Sequence, residues 1–257
     1  MIDNKKACEN FAKYVAKFDS NNERVKVKEA HSIRTQNVSE MIAKGLNLDE
    51  EKVELAKLIG LIHDIGRFKQ EEVYHTFEDT PDCDHAQIGL EILFDEGLIH
   101  EFTDEEKYYE IIKKAIKNHD KFEIEDGLTE EELLFAKLIR DADKVDNFYT
   151  KTIQDIECLL GKTKEEAESE KITDNVWKQF LDGKTIIFNT RVTAMDDWLS
   201  YVAWIYDIYF LPSLQYILEK DSINRVIDRL DYKDPDTKNK MEYARKTLHE
   251  YILSKVV

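Results

Sequence analysis

Apolar residues return at three- and four-residue spacings along nearly the whole chain, the interval at which side chains share one face of an α-helix. The pattern predicts helices near 4–18, 24–45, 50–65, 84–97, 104–119, 130–149, 151–161, 173–182, 193–210, 213–220, 222–231 and 236–254. Gly45, Gly97, Gly127, Gly161 and Gly183 fall where these runs stop, as helix C-terminal caps do. Only Thr185-Ile186-Ile187-Phe188 reads as strand-like, and it is too short to build a sheet. The expected fold class is all-α. Eight Gly and three Pro in 257 residues support this, being sparse for a protein built on β-turns.

Composition shifts near residue 150. Trp177, Trp198 and Trp204 all lie beyond it, but only one of the seven histidines does. The expectation is a chemistry-bearing helical domain over 1–150. Residues 151–257 are expected to form a helical extension that caps the domain or supplies a homodimer face. The stripe Trp198, Tyr201, Ile205 and Tyr209 suits core or dimer interface better than ligand binding.

A formal charge of -17 repels phosphate backbones, so a duplex nucleic acid is not an expected partner. A small phosphorylated substrate stays open, because a local cation can reverse the field inside a pocket. Trp198 to Leu218 is the longest apolar stretch, and Asp207 and Pro212 break it short of the roughly 20 residues a membrane helix needs. Cys8, Cys83 and Cys158 show no paired spacing, which fits reduced thiols. The opening Met1-Ile2-Asp3-Asn4-Lys5-Lys6 leads into an amphipathic stretch rather than a signal peptide. A cytoplasmic protein is expected.

The informative string is Leu61-Ile62-His63-Asp64-Ile65-Gly66-Arg67. A His-Asp pair ending an apolar helix is costly unless something satisfies it, since burying an unpartnered polar group costs a few kcal/mol. His63 shares a helix face with Val53, Ala56 and Gly60, and those last two small residues would let a neighbouring helix approach. His31 lies on a stripe with Val27, Val38 and Ile42. His119 follows Ile112, Ala115 and Ile116, and Asp143 follows Ala136 and Ile139. His85 opens a helix after the turn-like Pro81-Asp82-Cys83-Asp84. Taken singly, His31, His85 and His119 are each better read as satisfied core residues, and Asp143 has Arg140 and Lys144 nearby as candidate partners. Taken together they are six inward polar groups that one shared cation centre would satisfy. His75 reads as a loop or pocket-rim residue beside Tyr74 and Phe77.

The order His31, His63-Asp64, Asp143 resembles the defining signature of the HD-domain superfamily of metal-dependent phosphohydrolases, an all-helical fold. With His85 and His119 added, the set resembles the subset holding two metals. That resemblance implies one ion on His31, His63, Asp64 and Asp143, and a second on Asp64, His85 and His119. It also resembles uncharacterised bacterial HD-domain proteins from His63 to Lys144. The donor types suit one or two divalent transition metal ions, Mn, Fe, Co, Ni or Zn. The string from His63 to Arg67 resembles one in which a lysine contacts a substrate phosphate. By that likeness Arg67 is the first candidate to clamp a phosphate, with Lys144 and Arg34 behind it. The implied activity is hydrolysis of phosphate esters of a nucleotide or similar small molecule through a metal-activated hydroxide, with Asp64 and Arg67 as catalytic residues. Two other readings fit the same ligands: a di-iron oxygenase of this superfamily, and a non-catalytic nucleotide or metal sensor.

Overall fold

The structure is a computed structural model that describes residues 2–80 and 82–256. The first three helices each open behind a side chain that accepts a backbone N–H left unpaired by the first turn. Asp3 does so for α1 (Asn4–Val15), Asn22 for α2 (Glu23–Gly45) and Asp49 for α3 (Glu50–Ile62). Beyond its first turn α3 is nearly all apolar, and such a helix belongs inside. Val53, Leu55, Ala56 and every residue from Leu58 to Ile62 are buried. Full burial of each of these leucines contributes about 1.5–3 kcal/mol.

The close approach expected at Gly60 is present, and α2 makes it. A Cβ on Gly60 would lie 2.9 Å from the Gln36 Cα and 2.9 Å from the Thr35 carbonyl oxygen. Ser32, Thr35 and Ser39 line the crossing and are fully buried. Backbones this close bring His31 of α2 to the end of α3.

The helix predicted over 50–65 stops at Ile62, and a separate α4 (Gly66–Tyr74) follows where no helix was predicted. Its sequence GRFKQEEVY has too few apolar residues to show a period. What holds it is tertiary: the Phe68 ring meets those of Phe11, Tyr14 and Phe18 at centroid distances of 5.7–6.1 Å. The break at His63-Asp64-Ile65 turns both polar side chains inward.

The helix predicted over 84–97 is α5 (His85–Leu90) running into a π-helical turn, Glu91–Asp95. After short 3-10 turns comes α6 (Tyr109–Asn118). The pattern broke 130–161 near residue 150, whereas α7 (Glu130–Ile153) continues to 153 before α8 (Ile156–Leu160).

The chain divides into two compact units, Met1–Asp146 and Asn147–Val257. The second contains α9 (Lys164–Ser169), α10 (Asp174–Leu181), α11 (Ala194–Ala203), α12 (Leu211–Glu219), α13 (Ser222–Ile227) and α14 (Pro235–Val256). α9 was not predicted, because its sequence KEEAES carries no apolar spacing; a Thr163–Glu166 capping box starts it. The helix predicted over 193–210 ends at Ala203 and tightens into a 3-10 turn. Trp198, Leu199, Phe180, Met241 and Leu248 are fully buried in this unit's core. Along the aromatic stripe Trp198 and Ile205 are core, while Tyr209 is exposed.

The all-α expectation holds. Among the described residues there is no strand, only an isolated bridge between Thr80 and Cys83, and 185–188 forms none. Among the described residues no helix is long and apolar enough to cross a membrane.

Candidate metal centre

Three helix ends and the faces of two further helices deliver the polar residues singled out above, all in the first unit. His63 caps the C-terminus of α3 and Asp64 follows it; His85 opens α5; His119 caps α6. His31 comes from α2 and Asp143 from α7. All four imidazoles and Asp64 are buried. The structure therefore brings the six residues together.

Asp64 is the hub. Its Oδ2 lies 3.5 Å from His31 Nε2 and 3.7 Å from His63 Nε2. Its Oδ1 lies 3.2 Å from His85 Nε2 and 3.5 Å from His119 Nε2. Asp143 Oδ1 joins the first pair, 3.1 Å from His31 Nε2 and 3.7 Å from His63 Nε2. Within each pair the rings face one another through Nε2, at 3.3 Å for His31 with His63 and 3.0 Å for His85 with His119.

The far side of every ring is held by an acceptor. His63 Nδ1 donates to the Gly60 carbonyl at 2.9 Å and His119 Nδ1 to the Ile116 carbonyl at 2.7 Å. His31 Nδ1 donates to Asp146 at 2.7 Å, and His85 Nδ1 to Asp79 at 2.9 Å. A carbonyl only accepts, so the proton of a neutral His63 or His119 sits on Nδ1 and the Nε2 lone pair points inward. Two lone pairs about 3 Å apart repel unless a proton or a cation lies between them. A cation about 2.0–2.1 Å from two imidazole nitrogens, with about 90–110° between its bonds, sets them about 3.0–3.4 Å apart. Both observed separations fall in that interval. The donor atoms fit metal binding and form two groups that could each hold a cation, His31-His63-Asp64 and Asp64-His85-His119.

Charge distribution in the bare protein agrees. Burial alone would push His31 down, but hydrogen bonds to Asp143 and Asp146 carry it above the ordinary histidine range. Burial likewise opposes His119, yet the Asp64 hydrogen bond and the Asp120 charge raise it to about 9. Burial pushes His63 down. Each pair thus has one imidazole that keeps a proton where a cation would sit. Burial would raise Asp64 and Asp143, but Lys28 and the imidazoles hold Asp64, and the imidazoles hold Asp143, well below the usual carboxylate range. Both remain anionic.

Three residues with roles here escaped the sequence reading. Lys28 Nζ lies 2.7 Å from Asp64 Oδ2, with its side chain 19% exposed. It stands three residues before His31 on the same helix face, a spacing that places a cation beside a candidate ligand. Asp146, three residues beyond Asp143 on α7, shares a face with it and backs His31. Asp79 carried no signal, since it lies between α4 and α5 where no period operates.

The three expected phosphate-binding cations are placed as follows. The Arg34 guanidinium pairs with Asp146 at 2.6 and 2.9 Å. Arg67 pairs with Asp79, its terminal nitrogens 2.9 and 3.2 Å from the carboxylate, and donates to the Phe77 carbonyl at 2.8 Å. Both guanidinium groups are engaged by a carboxylate. Lys144 is half-buried beside Asp143 in α7. Arg140 donates to the carbonyls of Asn118, Lys121 and Phe122, and so pins the segment that carries His119. His75 lies outside the cluster as the left-handed C-cap of α4. The Phe77 ring lies under three cations, with Arg24, Lys28 and Arg67 at 5.6–5.8 Å from its centre.

No curated protein and no solved structure matches the chain. Residues 29–147 match the HD domain family, and that segment contains His31, the His63-Asp64 pair, His85, His119 and Asp143. The match covers that segment alone and supports its likeness to the HD-domain superfamily, whose members are generally metal-dependent phosphohydrolases.

Proposed function

We propose that the protein is a metal-dependent phosphohydrolase that cleaves phosphate esters of a nucleotide or similar small molecule. The observation that carries this reading is the convergence of four imidazole Nε2 atoms on the two oxygens of Asp64, each ring backed on its other nitrogen. His31, His63, Asp64 and Asp143 would hold one divalent transition metal ion, and Asp64, His85 and His119 a second. Bound there, the ions would lower the pKa of water to make a nucleophile and would neutralise phosphoryl oxygens.

The chain's own residues set the rest. Asp64 and Asp143 stay ionised in a buried site and so keep the anionic donors ready. The backing acceptors fix each ring's tautomer and direction. Lys28 is the cation best placed for a substrate phosphate, because the ion pair it makes with Asp64 Oδ2 is the one an incoming metal would displace. Released, its ammonium remains beside the centre with Phe77 beneath it. Arg67 and Arg34 are less suited to that contact, since each would have to leave a carboxylate.

The test is elemental analysis of the purified protein, coupled to phosphate release from a panel of nucleotides and simple phosphate esters. Up to two transition metal ions per chain and release of phosphate are expected. Asp64→Ala should lose metal and activity while keeping its far-ultraviolet circular dichroism. Normal turnover in that variant would refute the centre. Uptake of dioxygen by an iron-loaded protein that releases no phosphate would assign the site to oxygenase chemistry instead, and metal without any turnover to sensing.

A further inference from the structure

We propose that Asp79 is the positioning residue for the metal position formed by Asp64, His85 and His119, and that Arg67 acts by holding Asp79 rather than by touching substrate. This rests on the two-cation reading above. Five donor contacts converge on the Asp79 carboxylate. His85 offers its backbone N–H at 3.0 Å and its ring Nδ1 at 2.9 Å. Gln70 donates at 2.9 Å, and Arg67 reaches the two oxygens at 3.2 and 2.9 Å. Arg67 is itself fixed by the Gln70 side-chain oxygen at 2.7 Å and the Phe77 carbonyl at 2.8 Å. Asp120 also faces the His85 ring, but from 3.8 Å.

The two metal positions are backed alike in one respect and differ in another. Each has one imidazole leaning on a backbone carbonyl of its own helix and one leaning on a carboxylate. For His31 that carboxylate is Asp146, buried on the long helix α7. For His85 it is Asp79, 30% exposed on the segment between α4 and α5. The ring direction of His85, and with it the approach of Nε2 to Asp64 and His119, therefore depends on a group that Arg67 keeps in place. Asp79, Asp84 and His85 are also close enough to be read as a third cation site. Arg67 already neutralises Asp79 there, and a cation would have to expel a bidentate guanidinium to bind.

The experiment titrates metal-free full-length protein with Mn2+ and follows calorimetry and electron paramagnetic resonance. Wild type should take two equivalents, the second giving the broadened signal of a coupled pair. Asp79→Asn should bind the first equivalent normally and the second about 10–100-fold more weakly, so that the six-line spectrum of an isolated ion persists. Asp79→Glu should partly restore the coupled signal. Asp146→Asn should weaken the other position instead. Arg67→Gln should weaken the second equivalent in the same direction, and at saturating Mn2+ it should bind inorganic phosphate as wild type does. Unchanged Mn2+ binding in both Asp79→Asn and Arg67→Gln overturns the proposal, as does equal weakening of both equivalents. Lost phosphate binding in saturated Arg67→Gln would mark Arg67 as a substrate contact and overturn its assigned part. Fewer than two equivalents in wild type would sink the two-cation reading itself, before any variant is compared.

Discussion

Gly66 and Gly89 face each other where α4 meets α5, yet only one of them is irreplaceable. A Cβ on Gly66 would lie 2.6 Å from the Gly89 nitrogen and 3.1 Å from its Cα, and nearer still to the His85 carbonyl oxygen. Carbon–nitrogen contact is comfortable near about 3.5 Å, so the two helices would have to separate by about 1 Å. Alanine in place of glycine in a helix returns at most about 0.5–1 kcal/mol. Overpacking a tight contact costs about 1–3 kcal/mol, sometimes more, and the upper end applies because backbone blocks the new methyl and no side chain can swing aside. Gly66→Ala should therefore lose about 2 kcal/mol net. At Gly89 the new Cβ would meet the Gly66 nitrogen at 3.3 Å and Ile65 Cγ2 at 3.5 Å. A shift of a few tenths of an ångström relieves that, and Gly89→Ala should fall within about 1 kcal/mol of wild type. The Gly66 displacement also moves His85, and a ligand constellation tolerates only about 0.5 Å, so Mn2+ affinity at the second position should fall in Gly66→Ala alone. Urea denaturation followed by circular dichroism, with Mn2+ titration of each variant, reads both effects. Equal stability of the two variants, or full metal affinity in Gly66→Ala, would refute the reasoning.

Other outcomes follow from the same geometry. Asp146→Ala removes the carboxylate that accepts from both Arg34 and the His31 N–H; with Arg34 30% exposed, the loss in urea stability should sit near the low end of the about 3–5 kcal/mol for a broken buried pair. Metal and proton compete for the His119 imidazole, which keeps its proton up to about 9 in the bare protein. Apparent metal affinity should therefore rise with pH and level off near that value, with proton release visible when calorimetry is repeated in buffers of different ionisation heat. Lys28→Met should keep metal but raise KM for a phosphate ester, and an unchanged KM would remove Lys28 from substrate binding. Stripping metal with a chelator should lower the melting temperature, since saturation at 100 times Kd stabilises by about 2.7 kcal/mol; an unchanged melting curve would mean the ions do not favour the folded state.

Much of this centre could be read along the chain, for a definite reason. A 3.6-residue period tells which way a side chain faces, so His31, His119 and Asp143 announced themselves as polar groups on apolar faces. Gly60 announced a helix crossing by the absence of a side chain. The all-helical class followed from the same period. What periodicity carries is direction within one helix, and nothing about distance to another. Hence the convergence on Asp64 of donors up to 112 positions apart in the chain, His31 to Asp143, belongs to the tertiary structure, set by α2 lying on α3 and by the chain breaking at His63-Asp64. The same limit explains the errors. α4 and α9 were missed because packing or capping holds them, not an apolar stripe. Asp79 stayed invisible because only its place in space sets it behind His85. Arg67 was legible only as a charge near the His-Asp pair, because the carboxylate that engages it is decided by the fold.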